Sequence, residues 1–174
     1  MVVCIIFVLL STIVLTSHTR FGGVVTLQNL AHNVALAIRE AQVFGLATLQ
    51  HDSNQFDTGY GIHIAQGNNY ELFADVNGNG IWDSGGTETV KTTTITGGYS
   101  ISNICAPAAT CDVSRIDILF KRPEPDACIS AGGVVTFTDG VCGSTISRAT
   151  ITLSSARGDT ATIVVESTGQ ISVQ

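Results

Sequence analysis

Residues 1–16 read MVVCIIFVLLSTIVLT, and residues 24–50 read VVTLQNLAHNVALAIREAQVFGLATLQ. These two stretches decide the fold. In the first, only Ser11, Thr12 and Thr16 are polar, and no Asp, Glu, Lys or Arg precedes Arg20. Small hydroxyls bond back to a helix backbone, so they do not interrupt it. A helix of this length covers roughly 24 Å, whereas a hydrocarbon core of about 30 Å calls for about 20 residues. In the second stretch Leu27, Leu30, Val34, Ala41 and Phe44 recur at helical spacing, and Gln28, Asn29, Asn33, Arg39, Glu40 and Gln42 supply a polar side. Gly22 and Gly23 mark the join, and Gly45 with HDSNQFDTGYG marks the end. The expectation is one long helix, apolar all round over 1–20 and amphipathic over 21–48. A signal peptide is disfavoured, because no basic segment precedes the run and TSHTRF offers no small-residue cleavage site.

Beyond residue 60 the pattern turns to β. YGIHIA, NYELFAD, ETVKTTTI, RIDILFK, GGVVTFT, RATITLSSA, TATIVVES and GQISVQ are short runs rich in Val, Ile, Thr and aromatics, separated by Gly, Asn and Asp. Ala156–Arg157–Gly158–Asp159 and Thr168–Gly169 read as hairpin turns, and Gly97–Gly98 and Gly132–Gly133 as turns or bulges. No helical crossover separates the strands, so they pair antiparallel. The expected class is α+β: a long N-terminal helix packed on an antiparallel sheet, with 49–174 as the globular β domain.

The chain has 174 residues, of which 13% are charged and 44% hydrophobic, with a net charge of −6. Mean hydropathy is +0.34 and the isoelectric point about 4.9. A typical soluble domain carries about 25% charged residues, and disorder requires low hydrophobicity with high charge, so a packed domain is expected. Eight Lys and Arg are scattered without a basic stripe. Nucleic-acid binding is therefore not expected.

Five cysteines leave one over. Cys4 lies in the apolar run and reads as a buried small hydrophobe. Cys105, Cys111, Cys128 and Cys142 allow three connectivities, of which Cys105–Cys111 with Cys128–Cys142 closes the shortest loops. Disulfides place the domain outside the cytoplasm. No CxxC pair supplies zinc spacing.

The sharpest local motif is Asp75-Val-Asn77-Gly-Asn79-Gly80-Ile81-Trp-Asp83. Counted from Asp75, oxygen ligands fall at positions 3, 5 and 9, Gly at 6 and the Ile81 carbonyl at 7, as in an EF-hand calcium loop. Position 12 is Gly86, and the nearest carboxylate is Glu88. An Asn/Gly-rich turn between strands explains the same residues. Trp82 reads as a local packing anchor. His18, His32, His51 and His63 show no metal spacing, and His63 alternates with Ile62 and Ile64 as if facing solvent. Lys121-Arg122-Pro123 reads as a strand end followed by a turn, with a grip on an acidic partner as the sharper alternative. No nucleophile elbow, P-loop or dinucleotide fingerprint is present, so an enzyme is not expected.

Several runs resemble the type IV pilin and type II secretion pseudopilin family, in particular its H-type minor members. They are LAHNVALAIREAQVFGLA (30–47), GYGIHI (59–64), YELFADVNGNGIWD (70–83), ETVKT (88–92) and FKRPEPDA (120–127). The family's basic leader, Gly and Phe-Thr-Leu-Ile-Glu start are not found, and MVVCIIFVLLSTIVL resembles the family's sequence just after that Glu. The expectation is a chain that begins inside the motif, about five residues short of a span. The resemblance implies a structural filament subunit that assembles through its helix, with Ile5, Leu9, Ile13 and Val14 as assembly positions. It implies other pilins as partners, the inner membrane as the location before assembly with an extracytoplasmic head, and a pilus or pseudopilus after it. The alternative is a membrane-tethered extracytoplasmic binding module, calcium-dependent in one form, that does not polymerise. A DNA-uptake pilin predicts a basic C-terminal patch, yet no Lys or Arg follows Arg157.

Overall fold

The computed structural model describes residues 2–47, 58–107 and 109–174, and within the helix the side chains of 2–12 and 22–47. The helix α1 spans Val2–Leu46. Eleven strands follow: β1 Gly59–Ala65, β2 Asn69–Asp75, β3 Thr89–Thr94, β4 Tyr99–Cys105, β5 Arg115–Phe120, β6 Ala127–Ala131, β7 Phe137–Thr138, β8 Val141–Cys142, β9 Arg148–Ser155, β10 Thr160–Glu166 and β11 Ile171–Val173.

The strands form three antiparallel sheets, ordered β3-β2-β1-β5-β6, β11-β10-β9-β4 and β7-β8. This corrects the expectation of an α+β chain with one helix packed on one sheet. The molecule is mostly β, and its strands divide among separate sheets. The division arises because β4 leaves β3 at Gly97–Gly98 and pairs with β9 instead, across a register shift between Ile101 and Asn103. An isolated bridge, Gly67 with Ile101, and a backbone bond from the Ala127 amide to the Ser167 carbonyl (2.8 Å) link the five-stranded sheet to the four-stranded one. The expected membrane half is corrected too. Among the described residues, no helix is long and apolar enough to cross a membrane.

The body of α1 lies over the two larger sheets. Leu27, Ala31, Val34, Ala35, Ile38 and Ala41 are buried along one stripe, against Ile62, Ile64, Ile116, Ile118, Ile151 and Ile163. The three alanines let the helix come close to strand side chains. At its C-terminal end the approach is tighter still, since a Cβ on Gly45 would meet the Phe120 carbonyl oxygen at 2.3 Å. Arg39 donates to the Ile171 carbonyl (3.3 Å), and Gln42 donates to those of Pro125 (3.1 Å) and Gly169 (3.2 Å). Leu36 falls off the stripe and is exposed. The N-terminal part behaves differently: every described side chain from Val2 to Thr12 is exposed, Cys4 among them, which corrects its reading as a buried residue.

On the opposite face of the five-stranded sheet a second, smaller apolar cluster forms. Phe73, Leu119, Cys128 and Phe137 are buried there, with Trp82 packed against them. The structure joins Cys105 to Cys111 and Cys128 to Cys142. The second bond fastens β8, and with it the small β7–β8 sheet, onto β6.

Candidate functional site

The β2–β3 connection, residues 76–88, carries the acidic motif. Its first residue, Asp75, closes β2 and is 4% exposed. The Asp75 carboxylate accepts from the amides of Asn79 (Oδ1, 3.0 Å) and Gly80 (Oδ2, 3.0 Å). Asn77 Oδ1 accepts from the Asn79 amide at 3.0 Å, and Asn79 Oδ1 from the Ile81 amide at 2.9 Å. The side-chain amides of Asn77 (2.6 Å) and Asn79 (2.9 Å) both donate to Asp83 Oδ2. Gly80 adopts φ +77°, and its missing Cβ leaves room for Phe137, whose own Cβ would lie 2.5 Å away.

Glu88 closes the loop. It stands two residues beyond the place where an EF-hand would put its last carboxylate, yet its side chain folds back and is buried. It accepts from the amides of Val76 (Oε1, 3.2 Å) and Asp83 (Oε2, 3.1 Å). Burial pushes the carboxyl groups of Asp75 and Glu88 above their ordinary range, against the pull of these amides. The nearby charges of Asp75 and Asp83 raise Glu88 further, while Lys121 opposes the rise at Asp75.

The loop thus brings Asp75, Asn77, Asn79 and Asp83 together and seats Ile81 in the interior. Its carboxylates are engaged by the loop's own amides. Among the described residues no group of three or more His, Cys, Asp or Glu side chains is arranged to hold a metal ion. The geometry is that of a turn closed by its own amides.

A second constellation lies beside the loop, and it gathers residues that the sequence reads separately. His63 on β1 is 4% exposed, not solvent-facing as its alternation suggested. Cross-strand register sets it between Glu71 on β2 and Asp117 on β5, and sets Asp117 beside Ser130 on β6. The His63 Nδ1 donates to Asp117 Oδ1 at 2.6 Å, and Asp117 has no exposed surface. The Trp82 backbone amide donates to the same oxygen at 3.2 Å. The Trp82 ring lies over the imidazole, with centroids 4.5 Å apart. Its Nε1 donates to Thr89 Oγ1 at 2.9 Å. Ser130 turns away and shares a hydrogen bond with Thr136. The second Asp117 oxygen, Oδ2, is buried with no hydrogen-bond partner. An imidazole held by a carboxylate suits general-base or ligand chemistry. The Ser130 hydroxyl, however, sits beyond Asp117 and away from the ring, so these three side chains do not form a nucleophilic triad.

Comparison with protein-family models, curated proteins and solved structures returns no match.

The other expected positions are distributed over the molecule. Ile5 and Leu9 are exposed on the free end of α1, at 59% and 58%. Ile13, Val14 and His18 lie outside the side chains described, and His51 and the helix-ending stretch 48–57 lie outside the described residues. His32 is exposed. Lys121 sits 5.6 Å from the centre of the Phe137 ring.

Proposed function

We propose that this chain is a structural filament subunit of the pilin or pseudopilin kind, which assembles through the free end of α1. One observation carries the reading. Val2, Val3, Ile5, Ile6, Phe7, Val8, Leu9 and Leu10 are all apolar and all between 51% and 74% exposed, on a helix whose other end is buried in the body. Contiguous apolar surface of this kind marks a site of association. Burying each such side chain contributes about 1.5–3 kcal/mol, so a few helices packed together offset the ordering cost of assembly. The absence of charge in this segment means that assembly strands no unpaired ion.

Before assembly the apolar end is held at the inner membrane, and the disulfide-bonded body lies outside the cytoplasm. No catalytic step is part of this reading.

A photo-crosslinking residue introduced at Leu9 in cells tests it. Crosslinks from Leu9 to other helical subunits are the expected outcome. Crosslinks to lipid alone, with the chain recovered only as a monomer, would instead favour a tethered binding module.

A further inference from the structure

Asn77–Gly78 and Asn79–Gly80 lie side by side in the β2–β3 connection, and no other asparagine of the chain precedes a glycine. An Asn-Gly step exposes the asparagine carboxamide carbon to attack by the next backbone nitrogen, because glycine has no Cβ to block ring closure. Both carboxamides are folded over the peptide that follows them. Asn77 Oδ1 accepts from the Asn79 amide, and Asn79 Oδ1 from the Ile81 amide.

The two steps differ in how firmly the attacking nitrogen is held. Gly80 is buried, and its amide donates to Asp75 Oδ2 at 3.0 Å. A Cβ there would stand 2.5 Å from Phe137, so the Gly80 peptide has no room to turn. Gly78 has no atom within 4 Å of its Cβ position, and Asn77 is exposed to water. Asp75 draws less on the Gly78 amide than on those of Gly80 and Asn79.

We propose that Asn77 is a site of spontaneous deamidation, and that the carboxylate it becomes unlatches the β2–β3 connection.

The Gly78 nitrogen loses its proton to solvent and bonds to Asn77 Cγ. The bond from Cγ to Nδ2 breaks, and ammonia leaves with a proton from water. Water then adds to either carbonyl of the cyclic imide and breaks one carbon–nitrogen bond, which leaves aspartate or iso-aspartate at 77. One water is consumed and one ammonia released, with no oxidant or reductant. The change removes the donor that Asn77 Nδ2 offers to Asp83 Oδ2 at 2.6 Å and sets two carboxylates against each other there. The iso-aspartate form also adds a carbon to the main chain beside the amides that Asp75 and Glu88 grip.

The test ages the full folded chain in mildly alkaline buffer, with a second sample unfolded in urea. Each is digested in isotopically heavy water, which marks conversion during work-up, and fragment masses locate the altered residue. In the folded chain Asn77 is expected to convert about tenfold or more faster than Asn79, because closure at Asn79 must first break a hydrogen bond to a buried carboxylate. In urea the two rates should be similar. Equal rates in the folded chain, conversion at Asn79 first, or an Asn77 that stays intact while the unfolded chain converts would each overturn the proposal. Hydrogen exchange on the aged chain reads the consequence. The Val76 and Asp83 amides should lose protection in step with conversion at Asn77, and Asn77→Asp should reproduce the loss from the start. Full protection retained in the aged chain overturns the unlatching. Both readouts on the aged chain stand whether or not the variant folds.

Discussion

Gly45 rests on the backbone of Phe120 so closely that a methyl group in its place would lie 2.3 Å from the Phe120 carbonyl oxygen. The contact sets how near the last turn of α1 comes to β5. Gly45→Ala gains helix propensity of about 1 kcal/mol, but it must push the helix off the strand. Overpacking of this kind costs roughly 1–3 kcal/mol, so a net loss in urea denaturation is expected. Gly23→Ala is the control, because nothing lies within 4 Å of its Cβ position. There the same propensity gain has no clash to oppose it, and stability is expected to rise or hold.

Ile38 is wholly buried in the stripe that α1 lays over the sheets. Ile38→Ala is expected to destabilise the fold by about 2–5 kcal/mol, measured by chemical denaturation. Leu36→Ala, two residues away and 57% exposed, is expected to change it by less than about 0.5 kcal/mol. Equal losses at the two positions would contradict the seating of the helix.

Glu88 holds the β2–β3 connection shut through the Val76 and Asp83 amides. Glu88→Ala leaves both donors without that acceptor, and a cost of about 1–3 kcal/mol is expected. Hydrogen exchange provides the local readout, since the Val76 and Asp83 amides should lose protection while those in β10 keep theirs.

Stability should also depend on pH in a stated direction. Burial raises the carboxyl groups of Asp75, Glu88 and Glu71 above their unfolded values. Between the unfolded and folded values the native state binds more protons than the unfolded state, so stability falls as pH rises through that window. Thermal melts from the ordinary carboxylate range up to neutrality should therefore show a declining midpoint over the lower part of that span. A midpoint rising throughout would mean that the amides outweigh burial at these sites.

The Cys128–Cys142 bond closes a loop with a sequence separation of 14 and ties down a sheet whose strands have two residues each. Such a sheet has little stability of its own. Replacing both cysteines with serine is expected to cost about 3 kcal/mol. It should also expose Phe137, which now seals the space above Gly80. An unchanged unfolding midpoint would argue that β7–β8 holds without the bond.

Local order was legible where one face of an element decided its pattern. Leu27, Val34 and Ala41 could be placed on the buried side of α1 by spacing alone, and both hairpin turns near the C-terminus stand where Gly158 and Gly169 take positive φ. The division into sheets was not legible, because it depends on which strand β4 joins, and its partner β9 lies more than forty residues on. Alternation put His63 on the face opposite Ile62 and Ile64, yet it carried no hint that Trp82 would roof that face. The ion partner Asp117 sits 54 residues away on another strand. Glu88 was visible as the nearest carboxylate to the acidic motif. What the spacing hid was that extra loop residues let it turn inward and serve as the closing group.

The way α1 is fastened has a mechanical consequence. Its contacts with the body run parallel to its own axis, from Leu27 to Ala41, and end in the cross-ties from Arg39 to Ile171 and from Gln42 to Pro125 and Gly169. A tensile load applied at the free end would be met in shear, with the whole seam strained at once. A seam lying across the pull would open one contact at a time. Withdrawing the helix therefore has to break the apolar seam and the three cross-ties together.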